Sequence, residues 1–156
     1  MTMKAADRDP RYQTLLQLLR TADTVWNASR LFFERWQLSP SQFNVLNLLQ
    51  ANRDGLSQSE LSRLLIMHRS NLTGLVDRLE KRGLLERHDV AADRRAYRVA
   101  LTAAGIKLLR DILPRYYEGA IQVWDNLPAK RAAELIADLR QVAQNAERIA
   151  ADAPHR

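Results

Sequence analysis

Residues 68–83, HRSNLTGLVDRLEKRG, pair an apolar seam with short polar and basic side chains. The chemistry these types can do is recognition of base edges. Arg69 can fork onto guanine, Asn71 can pair with adenine, and Thr73 can touch a thymine methyl. On a helical wheel Ser70, Thr73, Gly74 and Asp77 lie opposite Leu72 and Leu79, with Arg69 and Asn71 at the borders. Further along, Arg78, Lys81 and Arg82 suit phosphates, which position a helix without carrying sequence information. Gly74 costs about 1 kcal/mol relative to Ala inside a helix, and its missing side chain would let the helix lie close to a groove wall. The competing reading is a plain solvated face, which would more usually hold Glu, Lys and Gln.

A second cluster weakens that competing reading. Asp93, Arg94 and Arg95 fall at the expected tip of a two-stranded ribbon. A narrow minor groove concentrates negative potential and draws in Arg. Asp93 is unfavourable beside phosphate unless it braces a guanidinium through a forked pair. The chain carries a net charge of +6, with the largest share of the excess between residues 57 and 102. A basic balance favours polyanionic partners.

Other chemistries find little support. There is no Cys, which removes thiolate metal sites, disulfides and thiol nucleophiles. His68, His88 and His155 have no ligand spacing. No zinc-protease helix, phosphate-cradling loop or nucleophile–base pair is present. Glu60 and Asp77 have structural readings rather than an acid–base one. The expectation is no catalytic residue, no metal and no cofactor. No basic leader followed by an apolar run opens the chain, and no membrane-length apolar stretch follows, so the expected location is the cytoplasm.

The elements that must position these residues are largely helical. Residues 1–9 read as a loose arm, and residues 12–36 form a helix carrying Leu15, Leu19, Ala22, Trp26, Phe33 and Trp36. Ser39-Pro40 restarts a second helix, apolar on several sides. Asn52 to Gly55 turn, and Ser57-Gln58-Ser59-Glu60 spells a capping box for a short helix burying Leu61, Leu64 and Leu65. The helix of residues 68–83 follows, with Gly83 as its stop. LLERHDV and RAYRVAL read as two strands joined by AADR. Thr102 starts a long helix that Pro114 should kink, Leu127-Pro128 breaks it, and a last helix buries Leu135, Ile136 and Leu139. The domain reading is 1–36, arm and first dimerisation helix; 37–102, DNA-binding domain; and 103–156, C-terminal dimerisation helices. The fold class is mainly α: a winged helix-turn-helix with a small β-hairpin wing and long terminal dimerisation helices. Apolar faces along 15–36, 106–127 and 132–149 exceed what one small winged domain covers, so a two-fold partner is expected. Its recognition helices would lie about 10 bp apart on a near-palindrome.

SQSELSRLL, SNLTGLVDRLEKRGLLER and DRRAYRVALTAAG together resemble the multiple antibiotic resistance regulator (MarR) family of bacterial transcription factors. The resemblance spans nearly the whole chain. It implies that residues 57–65 and 68–82 are the helix-turn-helix, and residues 84–101 the wing. It places Arg69, Ser70, Asn71 and Thr73 where the family reads bases, Arg78 on phosphate, and Arg95 in the minor groove braced by Asp93. It further implies an obligate homodimer, repression, and release by a small aromatic or anionic compound. Candidates to hold that compound are Trp26, Asn27, Arg30, Phe33 and Trp36, with His68 opposite. Three positions depart from the family pattern: Ile66, His68 and Gly74. The alternative function is a winged-helix module that binds protein, which would need neither Arg94 and Arg95 nor Arg69 and Asn71.

Overall fold

The computed structural model describes residues 8–65, 72–90 and 93–152. The side chains of residues 90 and 93–96 lie outside that description. The chain divides into two compact units, Met1–Asp111 and Ile112–Arg156.

Helix α1, Pro10–Glu34, begins earlier than periodicity alone suggests, because Asp9 caps it: its carboxylate accepts from the Arg11 N–H at 2.8 Å, and Pro10 takes the first helical position. The helix closes at Glu34, so Trp36 lies in a turn and not in the helix expected over 12–36. Gln37 enters the left-handed region (φ 53°), its N–H donates to Glu34 O, and the Leu38 N–H reaches back to Phe33 O. This paired closure buries Leu38 against the end of α1.

Helix α2, Pro40–Ala51, starts with a capping box between Ser39 and Gln42. Phe43, Val45, Leu46 and Leu49 are all buried, as a central helix requires. Phe33 stacks on Phe43 with ring centroids 4.3 Å apart. Strand β1, Leu56–Ser57, leads into helix α3, Gln58–Leu64, whose capping box joins Ser57 and Glu60 as expected. Leu61 and Leu65 are buried one turn apart, but Leu64 is 48% exposed. The seven-residue helix turns only a narrow stripe inward, and Leu64 falls outside it.

Helix α4, Leu72–Lys81, buries Leu72, Leu75, Val76 and Leu79. Residues 66–71 ahead of it lie outside the described residues. It ends on Gly83 (φ 65°), with the Gly83 N–H on Glu80 O and the Leu84 N–H on Leu79 O. This is the glycine-stopped helix end read from the sequence.

Strands β2, Leu85–Val90, and β3, Asp93–Leu101, form the hairpin. The sheet has three strands, not two. β1 pairs antiparallel with the other edge of β3, with Leu56 opposite Val99 and Ser57 opposite Arg98. A two-residue strand leaves no periodic trace in sequence. Its contact is close: a Cβ on Gly55 (φ 76°) would lie 2.7 Å from Val99 O.

Helix α5, Ala103–Trp124, begins after Thr102, whose hydroxyl accepts from the Gly105 N–H and donates to Gly83 O. It runs on through Pro114. Asp125 turns the chain at positive φ, and helix α6, Ala129–Ala151, follows Pro128. Leu135 and Leu139 are half-buried, but Ile136 is exposed, and α6 buries no residue fully within the single chain.

A candidate nucleic-acid interface

The site is built from α3, α4 and the hairpin, each fastened to the others by polar side chains. Thr73 lies near the start of α4 with an exposed side chain, and its Oγ1 accepts from Gln58 Nε2 at 2.5 Å. Gln58 opens α3, and its Oε1 accepts from the Tyr97 hydroxyl of β3 at 2.6 Å. One carboxamide thus ties the two helices to the wing.

Arg87 on β2 makes the second tie. Its guanidinium donates to Asp77 Oδ1 at 2.5 Å and to Glu80 Oε2, both on α4, and lies 5.0 Å over the Tyr97 ring. Burial opposes its charge, but hydrogen bonds to Asp77 and Tyr97 and the charge of Glu80 outweigh that, and the pKa is raised. The electrostatic result matters for α4. Its two carboxylates are held by Arg87, and among the described residues no carboxylate lies within salt-bridge distance of Arg78 or Lys81, both exposed.

Arg98 makes the third tie. It donates to Asp54 O at 3.2 Å and Gly55 O at 2.6 Å, and lies 3.5 Å from Glu60 Oε2. The Glu60 pKa is lowered, first by the Ser57 N–H and then by the Ser57 hydroxyl. At the far end of α4, Arg82 donates to the backbone oxygens of Gln37 and Trp36. Both terminal nitrogens of Arg82, read from the sequence as a phosphate contact, fasten α4 to the turn after α1.

Of the sequence candidates for base and phosphate contact, Thr73, Arg78 and Lys81 are brought together on exposed α4. Asp93, Arg94 and Arg95 occupy the first three positions of β3, beside the hairpin turn, with side chains outside the description. His68, Arg69, Ser70 and Asn71 lie outside the described residues. Gln58, Arg87, Tyr97 and Arg98 were not singled out by sequence. The only local signal was the strand-alternating Arg87, which sits among other charges.

The ligand candidates are dispersed. Phe33 is core, stacked on Phe43. Trp26 is half-buried, and Asn27 donates to Asp23 within its own helix. The Trp36 indole N–H donates to Asp111 Oδ2 at 2.7 Å. Arg30 lines an open cavity of about 400 Å³ with Glu34, Gln37, Leu38, Ser39 and Pro40. Among the described residues no group of His, Asp or Glu is placed to hold a metal, and no helix is long and apolar enough to cross a membrane.

Residues 36–96 match the MarR family model. The chain is 31% identical over 127 residues to the HTH-type transcriptional regulator PapX of Escherichia coli, covering 78% of this chain and 77% of PapX. It is 34% identical over 91 residues to the transcriptional repressor MprA of Escherichia coli K12, covering 58% of this chain and 52% of MprA. It therefore spans about half of that relative's length. In fold it is similar to Bordetella bronchiseptica BpsR, a protein whose DNA binding is regulated by 6-hydroxynicotinic acid. The TM-score is 0.70 at 23% identity, covering 83% of this chain and 98% of BpsR.

Proposed function

The chain belongs to the MarR family of winged helix-turn-helix transcriptional regulators, and on that premise we propose that it is a homodimeric, ligand-released repressor of a near-palindromic operator. The observation that carries the DNA reading is the charge arrangement on α4. Arg87 takes up Asp77 and Glu80, so the helix offers Arg78 and Lys81 to phosphate without compensating carboxylates of its own. In this reading Arg69, Ser70, Asn71 and Thr73 read bases, His68 lies at the entry to α4, and Arg95, braced by Asp93, enters the minor groove beside Arg94.

Pairing of two subunits is supported by apolar side chains left bare in one chain. Leu15, Leu19, Val25 and Leu31 of α1 are exposed, as are Tyr117 and Ile121 of α5 and Ile136, Val142 and Ile149 of α6. Large apolar side chains left exposed on each of these helices are what an interaction surface supplies. MprA supports repression, and BpsR supports a small acid as effector. Arg30, at the cavity beside α1, would pair with its carboxylate.

Selection of bound sequences from random duplex DNA tests the proposal, followed by affinity measurements across salt concentrations and with a panel of aromatic acids. The expected result is an inverted repeat with half-sites about 10 bp apart, a linear fall of log affinity with log salt, and release by at least one acid. A monomer in sedimentation, or no duplex bound at low salt, would refute it.

A further inference from the structure

Three side chains from three elements form one hydrogen-bonded line ending on the exposed face of α4. The Tyr97 hydroxyl donates to Gln58 Oε1 at 2.6 Å, and Gln58 Nε2 donates to Thr73 Oγ1 at 2.5 Å. At the far end of the line the Arg87 guanidinium, which has donors and no acceptor, lies 5.0 Å over the Tyr97 ring. It cannot take the phenol hydrogen, which goes to Gln58 Oε1. A reversed carboxamide would turn its N–H groups toward that hydrogen. The amide therefore presents oxygen to Tyr97 and nitrogen to Thr73. With its oxygen already accepting, and no acceptor for its hydrogen among the described residues, the Thr73 hydroxyl has that hydrogen to give.

We infer that Arg87, Tyr97 and Gln58 form a polarity relay that sets Thr73 as a hydrogen-bond donor toward the operator, so that the base it meets presents an acceptor. In the major groove those acceptors are guanine O6 and N7, adenine N7 and thymine O4. The inference rests on the reading of α4 as the helix in that groove. Thr73 is the residue that touches the base, while Gln58, Tyr97 and Arg87 act through it as positioning residues. The relay also ties sequence preference to the wing, because Tyr97 and Arg87 belong to the hairpin.

The test compares wild type with Thr73→Val, Tyr97→Phe and Gln58→Glu, in selection from random duplexes and in affinity for the selected operator. Thr73→Val keeps the methyl group and removes the hydroxyl. Tyr97→Phe keeps the ring over Arg87 and removes only the phenol. Both should weaken discrimination at one and the same operator position, by about threefold to tenfold, the scale of a neutral hydrogen bond. The salt slope should not change, since none of these groups is assigned to phosphate. Gln58→Glu places an acidic residue in the first turn of α3, where a helix favours it. Its carboxylate takes the Thr73 hydrogen, so the preferred base at that position should switch to one presenting a donor, cytosine N4 or adenine N6. Replacing the preferred base by an analogue lacking the acceptor, such as 7-deazaguanine, should weaken wild type and leave Thr73→Val unaffected. Unchanged preference in Tyr97→Phe or in Thr73→Val overturns the relay, as does an equal loss at every position. Wild type that binds no duplex refutes the regulator reading and the relay with it. Wild type that binds with a steep salt slope beside an unaltered Tyr97→Phe refutes the relay alone.

Discussion

Replacing Arg87 with Met keeps a long apolar stem and removes the charge that joins the wing to α4. The guanidinium contacts Asp77 at 2.5 Å, Glu80, and the face of Tyr97. Its side chain is 24% exposed, but its carboxylate partners are 47% and 36% exposed. Water therefore screens these pairs, and the surface regime of about 0.2–1 kcal/mol each applies, not the 3–5 kcal/mol of breaking a buried pair. Loss of the cation over an aromatic face adds about 0.5–1 kcal/mol. Asp77 and Glu80, left unpaired on one helix, also repel each other. The expected destabilisation is about 2 kcal/mol, or roughly 4–8 °C in Tm for a chain of this length. Urea unfolding at one fixed protein concentration reads it, because association shifts apparent stability by mass action. The midpoint should fall with the slope unchanged. In about 1 M salt, where the screening length is about 3 Å, much of the difference should vanish. Adding Asp77→Asn and Glu80→Gln should restore part of it at low salt. A loss under about 0.5 kcal/mol, or a full loss that neither salt nor the neutral partners relieve, would refute this account of the clamp.

Gly105→Ala should destabilise by about 2 kcal/mol or more in the same assay. The new Cβ would lie 2.0 Å from Leu84 O, and this outweighs the roughly 1 kcal/mol by which Ala exceeds Gly in a helix. Gln37→Gly should raise stability by about 0.5–1 kcal/mol, and Gly83→Ala should lower it by about 1 kcal/mol, since both positions are left-handed. No atom lies within 4 Å of a Cβ at Gly83, so its loss reports backbone strain alone. Glu60 is acidified by Ser57, so it binds a proton less readily folded than unfolded. Its contribution is complete above about its ordinary value of 4.5 and is lost as pH falls through the lower folded value. Glu60→Gln should therefore flatten the acid limb of Tm against pH. Arg78→Ala and Lys81→Ala should each weaken DNA binding about equally across sequences and reduce the salt slope by about 1, measured by titration of labelled duplex.

What sequence disclosed was local. The Ser57–Glu60 capping box, the seam of α4, the Gly83 stop and the start of α5 after Thr102 each depend on residues a few positions apart. All four are present in the structure. The Asp9 cap was equally local, but it stood where unpatterned charges suggested an arm. The ties that shape the candidate site are of another kind. Tyr97 reaches Gln58 across 39 residues, Gln58 reaches Thr73 across 15, and Arg98 reaches Gly55 across 43. No periodicity records such pairs, so Gln58 and Tyr97 looked like ordinary surface and strand residues. Strand β1 escaped for the same reason, since two residues become a strand only through the partner they meet. Exposed Leu64 shows the opposite error, in which helical spacing assigned an inward face to a side chain that a short helix turns outward.

Among the described residues, the order β1-β3-β2 leaves β2 with one open edge. An open edge is a template for another molecule's strand, and six residues would suffice to begin stacking. Along that edge run Glu86, Arg87, His88 and Asp89, four polar or charged residues in succession. A neighbouring wing attempting to add itself would have to strip water from them. On the opposite side, β1 is only two residues long. The same sheet whose hairpin is proposed to meet DNA is thereby guarded against polymerising with its own kind.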